Sequence, residues 1–379
     1  MELGIYPYFR AIESGASTEV MINGRKLIMI GSNNYLGLTQ DPRVKEAAIN
    51  AIKKFGSGCT GSRFLNGTLA LHEELEERLA KFMKREAALT FSTGFQTNQG
   101  TISSIVGKND IVFADRQNHA SIVDGCRLAF GKCLKFKHND MDELGRLLAN
   151  QEHNSGGKLI VADGVFSMEG DIINLPKMVE LAAKNGARIM VDDAHSIGVL
   201  GKNGRGTAEH FGLEDKVDIV MGTFSKSLAS LGGFIVADEP VIHYIKHHAR
   251  ALIFSASMPP SAVASVIAAL DIIESEPERI EMLWKNVRKM KKAFDDMGFD
   301  TANSQSSIIP IVIGEDLNVF KFWKLLFENG IFANPAISPA VEPGHGLIRT
   351  SYMATHTDDV LDRVLEIFAK LGKEFGLIQ

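Results

Sequence analysis

The sequence predicts an α/β fold: a large domain built on a mainly parallel seven-stranded sheet covered by helices on both sides, and a smaller C-terminal α/β domain. Three observations predict it. Short apolar runs ending in Gly, Asp, Ser or Thr alternate with helix-period patterns from about residue 40 to 240. From Ser261 to about Asp300 the pattern is helical only, and a second, shorter strand–helix pattern then closes the chain. Strand–helix alternation of this kind implies parallel strands joined by crossover helices.

In chain order, Glu19–Ile22 and Lys26–Ile30 read as short strands expected to pack against the C-terminal domain. Leu69–Met83 reads as a helix with Leu71, Leu75, Leu79 and Phe82 on one face and Glu73, Glu76 and Glu77 on others. The seven strands of the sheet are expected at Ala87–Phe91, Asp110–Ala114, Leu134–Lys137, Lys158–Ala162, Arg188–Val191, Asp218–Gly222 and Gly233–Ala237. Ser261–Ile273, rich in Ala, Val and Ile, reads as a buried packing helix, and Glu274–Lys292 as the exposed face of a connecting helix. Strand Ile308–Ile313, helix Leu317–Asn329, strand Gly346–Tyr352 and a helix from about Thr357 complete the smaller domain. The expected organisation is an N-terminal segment (1–45), a large domain (46–260) and connecting helices with the small domain (261–379), without internal repeats or long linkers.

Composition narrows the function. With 45% apolar and 23% charged residues the chain is an ordinary globular protein, which excludes collagen-like and disordered classes. Lys plus Arg is 41 against 46 Asp plus Glu, a net charge of -5 that argues against a nucleic-acid partner. Cys59, Cys126 and Cys133 are odd in number and show no paired metal spacing, as expected of small buried thiols in a reducing compartment. No apolar run approaches the ~20 residues of a membrane span, and Met1–Gly15 lacks the basic start and apolar middle of a signal peptide. A cytoplasmic enzyme without an integral membrane segment is expected.

In a parallel α/β sheet the ligand sits beyond the carboxyl ends of the strands, and three polar segments follow predicted strands there. They are Val191-Asp-Asp-Ala-His-Ser196, Gly222-Thr-Phe-Ser-Lys-Ser227 and Phe91-Ser-Thr-Gly-Phe-Gln96. A lysine flanked by hydroxyls can form a Schiff base with a carbonyl cofactor while the hydroxyls bind a phosphate. An aspartate at another strand end can pair with a pyridinium nitrogen. Ser92-Thr-Gly94 opening a helix offers backbone donors to the same phosphate. Singly, each has a plainer reading: a solvated lysine, a capping aspartate, a turn. Together, at equivalent strand ends, they point to pyridoxal 5'-phosphate chemistry.

With these motifs the chain resembles the α-oxoamine synthase family of fold-type I pyridoxal-phosphate enzymes. The resemblance runs from Gly31-Ser-Asn-Asn-Tyr-Leu-Gly-Leu38 to Ile348-Arg-Thr-Ser-Tyr-Met-Ala-Thr-His-Thr357. Between them lie Gly56-Ser-Gly-Cys-Thr-Gly-Ser-Arg63, Asn118-His-Ala-Ser121, Asp163-Gly-Val-Phe-Ser-Met-Glu-Gly170 and Phe254-Ser-Ala-Ser-Met-Pro-Pro260. Family members condense an amino acid with an acyl-CoA and release carbon dioxide. The segments around Lys226 and Asp192, with Gly61-Ser-Arg-Phe-Leu-Asn-Gly-Thr68, resemble the bacterial branch that uses L-serine and a long-chain acyl-CoA.

The resemblance implies a role for each matching residue. Lys226 matches the Schiff-base lysine, which also removes the Cα proton; Asp192 matches the partner of the pyridine nitrogen; His195, helped by Ser167, matches the donor to the ring hydroxyl. His119 matches the histidine that stacks on the cofactor ring and also meets the substrate carboxylate, and Thr93, Gly94, Phe95, Thr223 and Ser225 match phosphate contacts. Arg349 matches the arginine that binds the substrate carboxylate, with Asn33 near substrate or cofactor. Ser257 and Met258 match a segment reaching the phosphate of the other subunit, which implies a homodimer with shared active sites. The implied reaction joins L-serine and palmitoyl-CoA to give 3-ketodihydrosphingosine, CoA and carbon dioxide. The alternatives are the family's short-thioester reactions, glycine C-acetyltransfer and 8-amino-7-oxononanoate synthesis, and a simple aminotransferase. Ile5–Phe9 and Ile331–Pro343 are apolar candidates for an acyl or dimer surface.

Overall fold

The computed structural model describes residues 6–379; of the apolar stretch Ile5–Phe9, Ile5 lies outside the described residues. The chain divides into two compact units, one formed by residues 42–166 and 172–275, the other by residues up to 41, 167–171 and 276–379. The helix Pro260–Ser275 thus belongs to the first unit, whereas the sequence pattern groups it with the C-terminal elements.

The first unit is organised by seven strands: β1 (Ala87–Phe91), β2 (Ile111–Asp115), β3 (Lys132–Phe136), β4 (Lys158–Asp163), β5 (Arg188–Asp192), β6 (Ile219–Thr223) and β7 (Gly233–Ala237). Their spatial order is β1-β7-β6-β5-β4-β2-β3, parallel except for β7, which runs antiparallel to both neighbours. β2, β6 and β7 are buried at every residue, the unbroken apolar pattern required when helices cover both faces. Leu89, Val112, Met190, Met221 and Ile235 from five strands share one core cluster with Ile102 and Ile122 from two helices. Most expected strands begin or end within one residue of those observed; β3 starts two residues earlier, at Lys132.

The second unit holds two three-stranded sheets. In one, Glu19–Ile22 and Arg25–Met29 pair antiparallel, and Ile331–Phe332 adds in parallel to the second strand. Asn23 and Gly24 both take positive φ (51° and 67°), the conformation a two-residue hairpin turn demands. In the other sheet Gly346–Ser351 lies between Ile308–Gly314 and Asn334–Ala336, antiparallel to both. The helices Glu278–Met297, Asp316–Glu328 and Asp358–Phe375 pack through Phe294, Phe322 and Phe368, ring centroids 5.1–6.0 Å apart.

The sequence reading of Ile331–Pro343 as an apolar surface holds poorly for its first part. Ile331 and Ala333 are fully buried, and Trp323 donates its indole N–H to the Ala333 carbonyl (3.2 Å). His356 is buried too: its Nδ1 accepts from the Met353 amide (2.9 Å) and its Nε2 donates to the Met29 carbonyl (3.1 Å). Burial pushes this imidazole down to about 4, against the opposing pull of the two backbone bonds.

Candidate active site

At the carboxyl ends of β4, β5 and β6 the chain leaves the sheet in register, with Asp163 beside Asp192 and Asp192 beside Met221. A cavity of about 210 Å³ opens there. Nine expected site residues line it: Thr93, Gly94, Phe95, His119, Asp192, His195, Thr223, Ser225 and Lys226. Five stretches of chain that are remote in sequence therefore supply one amine, two imidazoles, two aspartates and several hydroxyls to a single chamber.

Lys226 sits in the tight connection from β6 to β7. That loop is closed by Phe224 N–H to the Gly232 carbonyl (3.0 Å), Ser230 N–H to the Phe224 carbonyl (2.8 Å) and Ala229 N–H to the Lys226 carbonyl (3.0 Å). Phe224 and Leu228 are fully buried on either side, and Phe224 stacks on Phe234 at 5.4 Å, so the loop is anchored into the core. Lys226 is held near the cavity by packing of its neighbours.

Asp192 ends β5. Its Oδ1 accepts from the Ala194 amide (2.9 Å) and its Oδ2 from Asn98 Nδ2 (2.6 Å). Asn98 also donates to Ser121 Oγ (2.9 Å), while its own buried Oδ1 has no partner among the described residues. His119 caps the helix Ala120–Leu128: its Nδ1 bonds the Ser121 hydroxyl (2.7 Å) and accepts weakly from the Ser121 amide (3.3 Å). Its backbone N–H donates to Asp163 Oδ2 (2.7 Å), which fixes where the ring emerges. Desolvation holds the His119 imidazole below its ordinary value; the Asp192 charge opposes this and the Lys226 charge adds to it. Burial first, and then the neighbouring Asp192 charge, push the Asp163 carboxyl well above the usual range.

The opposite wall is a helix start. Thr93 caps Gly94–Ile105, its Oγ1 accepting from the Gln96 amide (3.1 Å). A Cβ on Gly94 would lie 2.7 Å from Thr223 Oγ1, so only glycine lets the helix approach β6 this closely. Thr223 Oγ1 in turn contacts Ser225 Oγ and donates to the Gly232 carbonyl, both at 3.0 Å. Unpaired helix-start amides beside two hydroxyls and an ammonium suit a phosphate.

The remaining expected residues stand elsewhere. Ser257 donates to the Gly61 carbonyl (3.1 Å) in the first unit, away from the lining of this cavity. Ser167, Asn33 and Arg349 belong to the second unit and meet each other. There Arg349, 5% exposed on the central strand Gly346–Ser351, donates Nε to the Ser167 carbonyl (2.5 Å) and Nη2 to Asn33 Oδ1 (2.9 Å) and the Tyr35 hydroxyl (3.5 Å). Among the described residues Arg349 pairs with no carboxylate and Nη1 donates to nothing, an uncompensated buried cation that calls for an anionic ligand. Asn98, Asp163 and Tyr35 were not foreseen as site residues. Asp163 ends β4 as Asp192 ends β5, a signal the strand-end rule carries; Asn98 faces inward from mid-helix, where no local motif marks it.

Residues 25–368 match the sequence model of the aminotransferase class I and II family. The chain belongs to this family. It is 54% identical over 371 residues to a serine palmitoyltransferase of Sphingobacterium spiritivorum, covering 98% of this chain and 93% of that one. It is 44% identical over 377 residues to an 8-amino-7-oxononanoate synthase of Symbiobacterium thermophilum, covering 100% and 96%. A solved structure described as serine palmitoyltransferase with a pyridoxal-phosphate (PLP) internal aldimine superposes with a TM-score of 0.95 at 39% identity, covering 98% of this chain and 94% of that one. The expected fold type I and the expected resemblance to bacterial serine-using α-oxoamine synthases are both borne out.

Proposed function

We propose that this chain is an acyltransferase that condenses L-serine with palmitoyl-CoA or a similar long-chain acyl-CoA, releasing CoA and carbon dioxide and giving 3-ketodihydrosphingosine, the first step of sphingolipid synthesis. The observation that carries the reaction class is the convergence of Lys226, Asp192 and His119 on one cavity beside a helix start. The choice of serine and a long chain rests on the 54% identity to a serine palmitoyltransferase, against 44% to the short-thioester relative.

Pyridoxal 5'-phosphate, when bound, supplies the electron sink that lets the serine Cα carry negative charge. The residues present fit it. The hydroxyls of Thr93, Thr223 and Ser225, with the amides opening Gly94–Ile105, would hold its phosphate, and Lys226 would supply the amine that ties it to the protein. Asp192, fixed by Asn98 and the Ala194 amide, would keep a proton on the ring nitrogen. His119 would cover the ring, and His195 and Ser167 would answer the ring hydroxyl. Lys226 takes the Cα proton and later returns one. Arg349, steadied by Asn33 and the Ser167 carbonyl, holds the serine carboxylate. The palmitoyl chain contributes about 0.8 kcal/mol for each methylene taken from water. Ser257 serves the partner's phosphate in a homodimer. The reaction is assigned to the cytoplasm, whose reducing poise suits the free thiols Cys59, Cys126 and Cys133.

The test is product mass after incubating holoprotein with L-serine and palmitoyl-CoA, with glycine plus acetyl-CoA and alanine plus a pimeloyl thioester in parallel. A long-chain aminoketone formed only with L-serine supports the reading. Formation of only a short-chain product would move the chain to the second reading, and keto-acid-dependent amine exchange without CoA release would make it an aminotransferase.

A further inference from the structure

The helix Glu239–His248 in the first unit carries three histidines that the condensation does not use. Glu239, His243 and His247 recur every four residues, which places a carboxylate and two imidazoles on one helix face. All three are exposed. The His243 and His247 rings lie 4.5 Å apart between centroids, tilted by 41°. A surface depression of about 510 Å³ is lined by these residues with Pro240, Tyr244 and His248, and shares no residue with the cofactor cavity.

Hydrogen bonding fixes what this face offers. His247 Nδ1 lies 2.8 Å from the His243 carbonyl oxygen. A carbonyl only accepts, so Nδ1 carries the proton and Nε2 keeps its lone pair. An imidazole whose far nitrogen is tied to a backbone carbonyl is the usual arrangement of a metal-binding histidine. The Glu239 amide donates to Glu86 Oε2 (3.0 Å) at the start of the helix, and its side chain, eight residues and about 12 Å of helix from His247, is too far along the axis to complete a three-ligand set with both imidazoles. Two imidazoles at i and i+4 on a helix are spaced for one ion, and the nitrogen-rich set suits late transition metals over magnesium or calcium.

We propose that His243 and His247, one helical turn apart, form a two-imidazole surface chelate for a divalent late transition-metal ion such as Zn²⁺, Ni²⁺ or Cu²⁺, separate from the condensation site, with water completing the coordination. Two ligands on one rigid helix bind as a chelate, so losing either imidazole weakens binding by about 100-fold. The test is isothermal titration of tag-free holoprotein with Ni²⁺ and Zn²⁺ in a non-coordinating buffer. The parent should take up one ion per chain at this site, and His243→Ala or His247→Ala should each weaken it by about that factor. Turnover in both variants should match the parent, which shows that they fold. With Cu²⁺, electron paramagnetic resonance should show nitrogen coupling that either histidine substitution diminishes. Equal affinity and stoichiometry in the His243→Ala/His247→Ala double variant, or no uptake by the parent at millimolar metal, would overturn the proposal.

Discussion

Replacing Arg349 tests the substrate assignment most directly, because its surroundings define what is lost. The guanidinium is buried, its Nε and Nη2 are committed to Ser167 and Asn33, and Nη1 is left for a ligand. If the two N–H groups of Nη1 hold the serine carboxylate, Arg349→Ala removes two charge-assisted hydrogen bonds of at least about 1.5 kcal/mol each. The sum, about 3 kcal/mol, corresponds to an increase of about 150-fold in the serine dissociation constant. Arg349→Lys keeps the charge without the fork and should lose about tenfold, one such bond. Serine titrations followed by the cofactor absorbance, with KM from steady-state turnover, give both numbers. Ethanolamine, which is serine without its carboxylate, separates recognition from damage to the fold: its binding should be the same in parent and variants. Serine affinity within threefold of the parent, or an equal loss for ethanolamine, would refute the reasoning.

Other consequences follow from the same contacts. Asn98→Ala removes the 2.6 Å bond to Asp192 and should slow turnover about tenfold, the value of about 1.5 kcal/mol at one charged acceptor; an unchanged kcat would count against that link. Gly94→Ala puts a Cβ 2.7 Å from Thr223 Oγ1. At an overpacking cost of about 1–3 kcal/mol the variant should retain pyridoxal phosphate less well on dialysis. His356, held down to about 4, binds fewer protons in the folded chain than in the unfolded one between that pH and about 6.5. Its contribution, of order 3 kcal/mol, is therefore present above pH 6.5 and lost as the pH falls toward 4. Denaturant unfolding should show His356→Gln losing less stability than the parent across that window, and parallel curves would contradict the assignment.

Much of this was legible in the sequence because parallel strands advertise themselves. Runs such as Ile219–Thr223 are apolar throughout and end in a polar switch, so both the strand and the residue at its functional end can be read together. Lys226, Asp192 and Thr93 were found that way. Elements with contradictory local signals were not. Asn334–Ala336 contains Pro335, which suits an edge strand, and it is a strand only because Arg349 and Leu347 are paired across from it. Asn98 takes its meaning from Asp192, ninety-four residues away, a relation that no local pattern in the helix encodes. The Arg349 environment was half legible: the arginine interrupts an apolar strand, but Tyr35 and the Ser167 carbonyl reach it only through the tertiary fold.

The second unit is assembled from three separated stretches of chain, and this sets an order of events during synthesis. Arg25 donates to the carbonyl of Glu328, 303 residues later, and Ile30 accepts from the Ser351 amide. At about 5–20 residues per second a ribosome needs roughly 15–60 s to make the missing side of those contacts. Residues 42–275 contain the whole of the first unit and emerge well before then. Until the final stretch appears, Val20, Ile22, Leu27 and Met29 have neither Phe332 nor Met353 to cover them. The nascent chain therefore carries a sticky hairpin at its head while its sheet is already forming, and shielding that hairpin is a task for the cell's folding machinery.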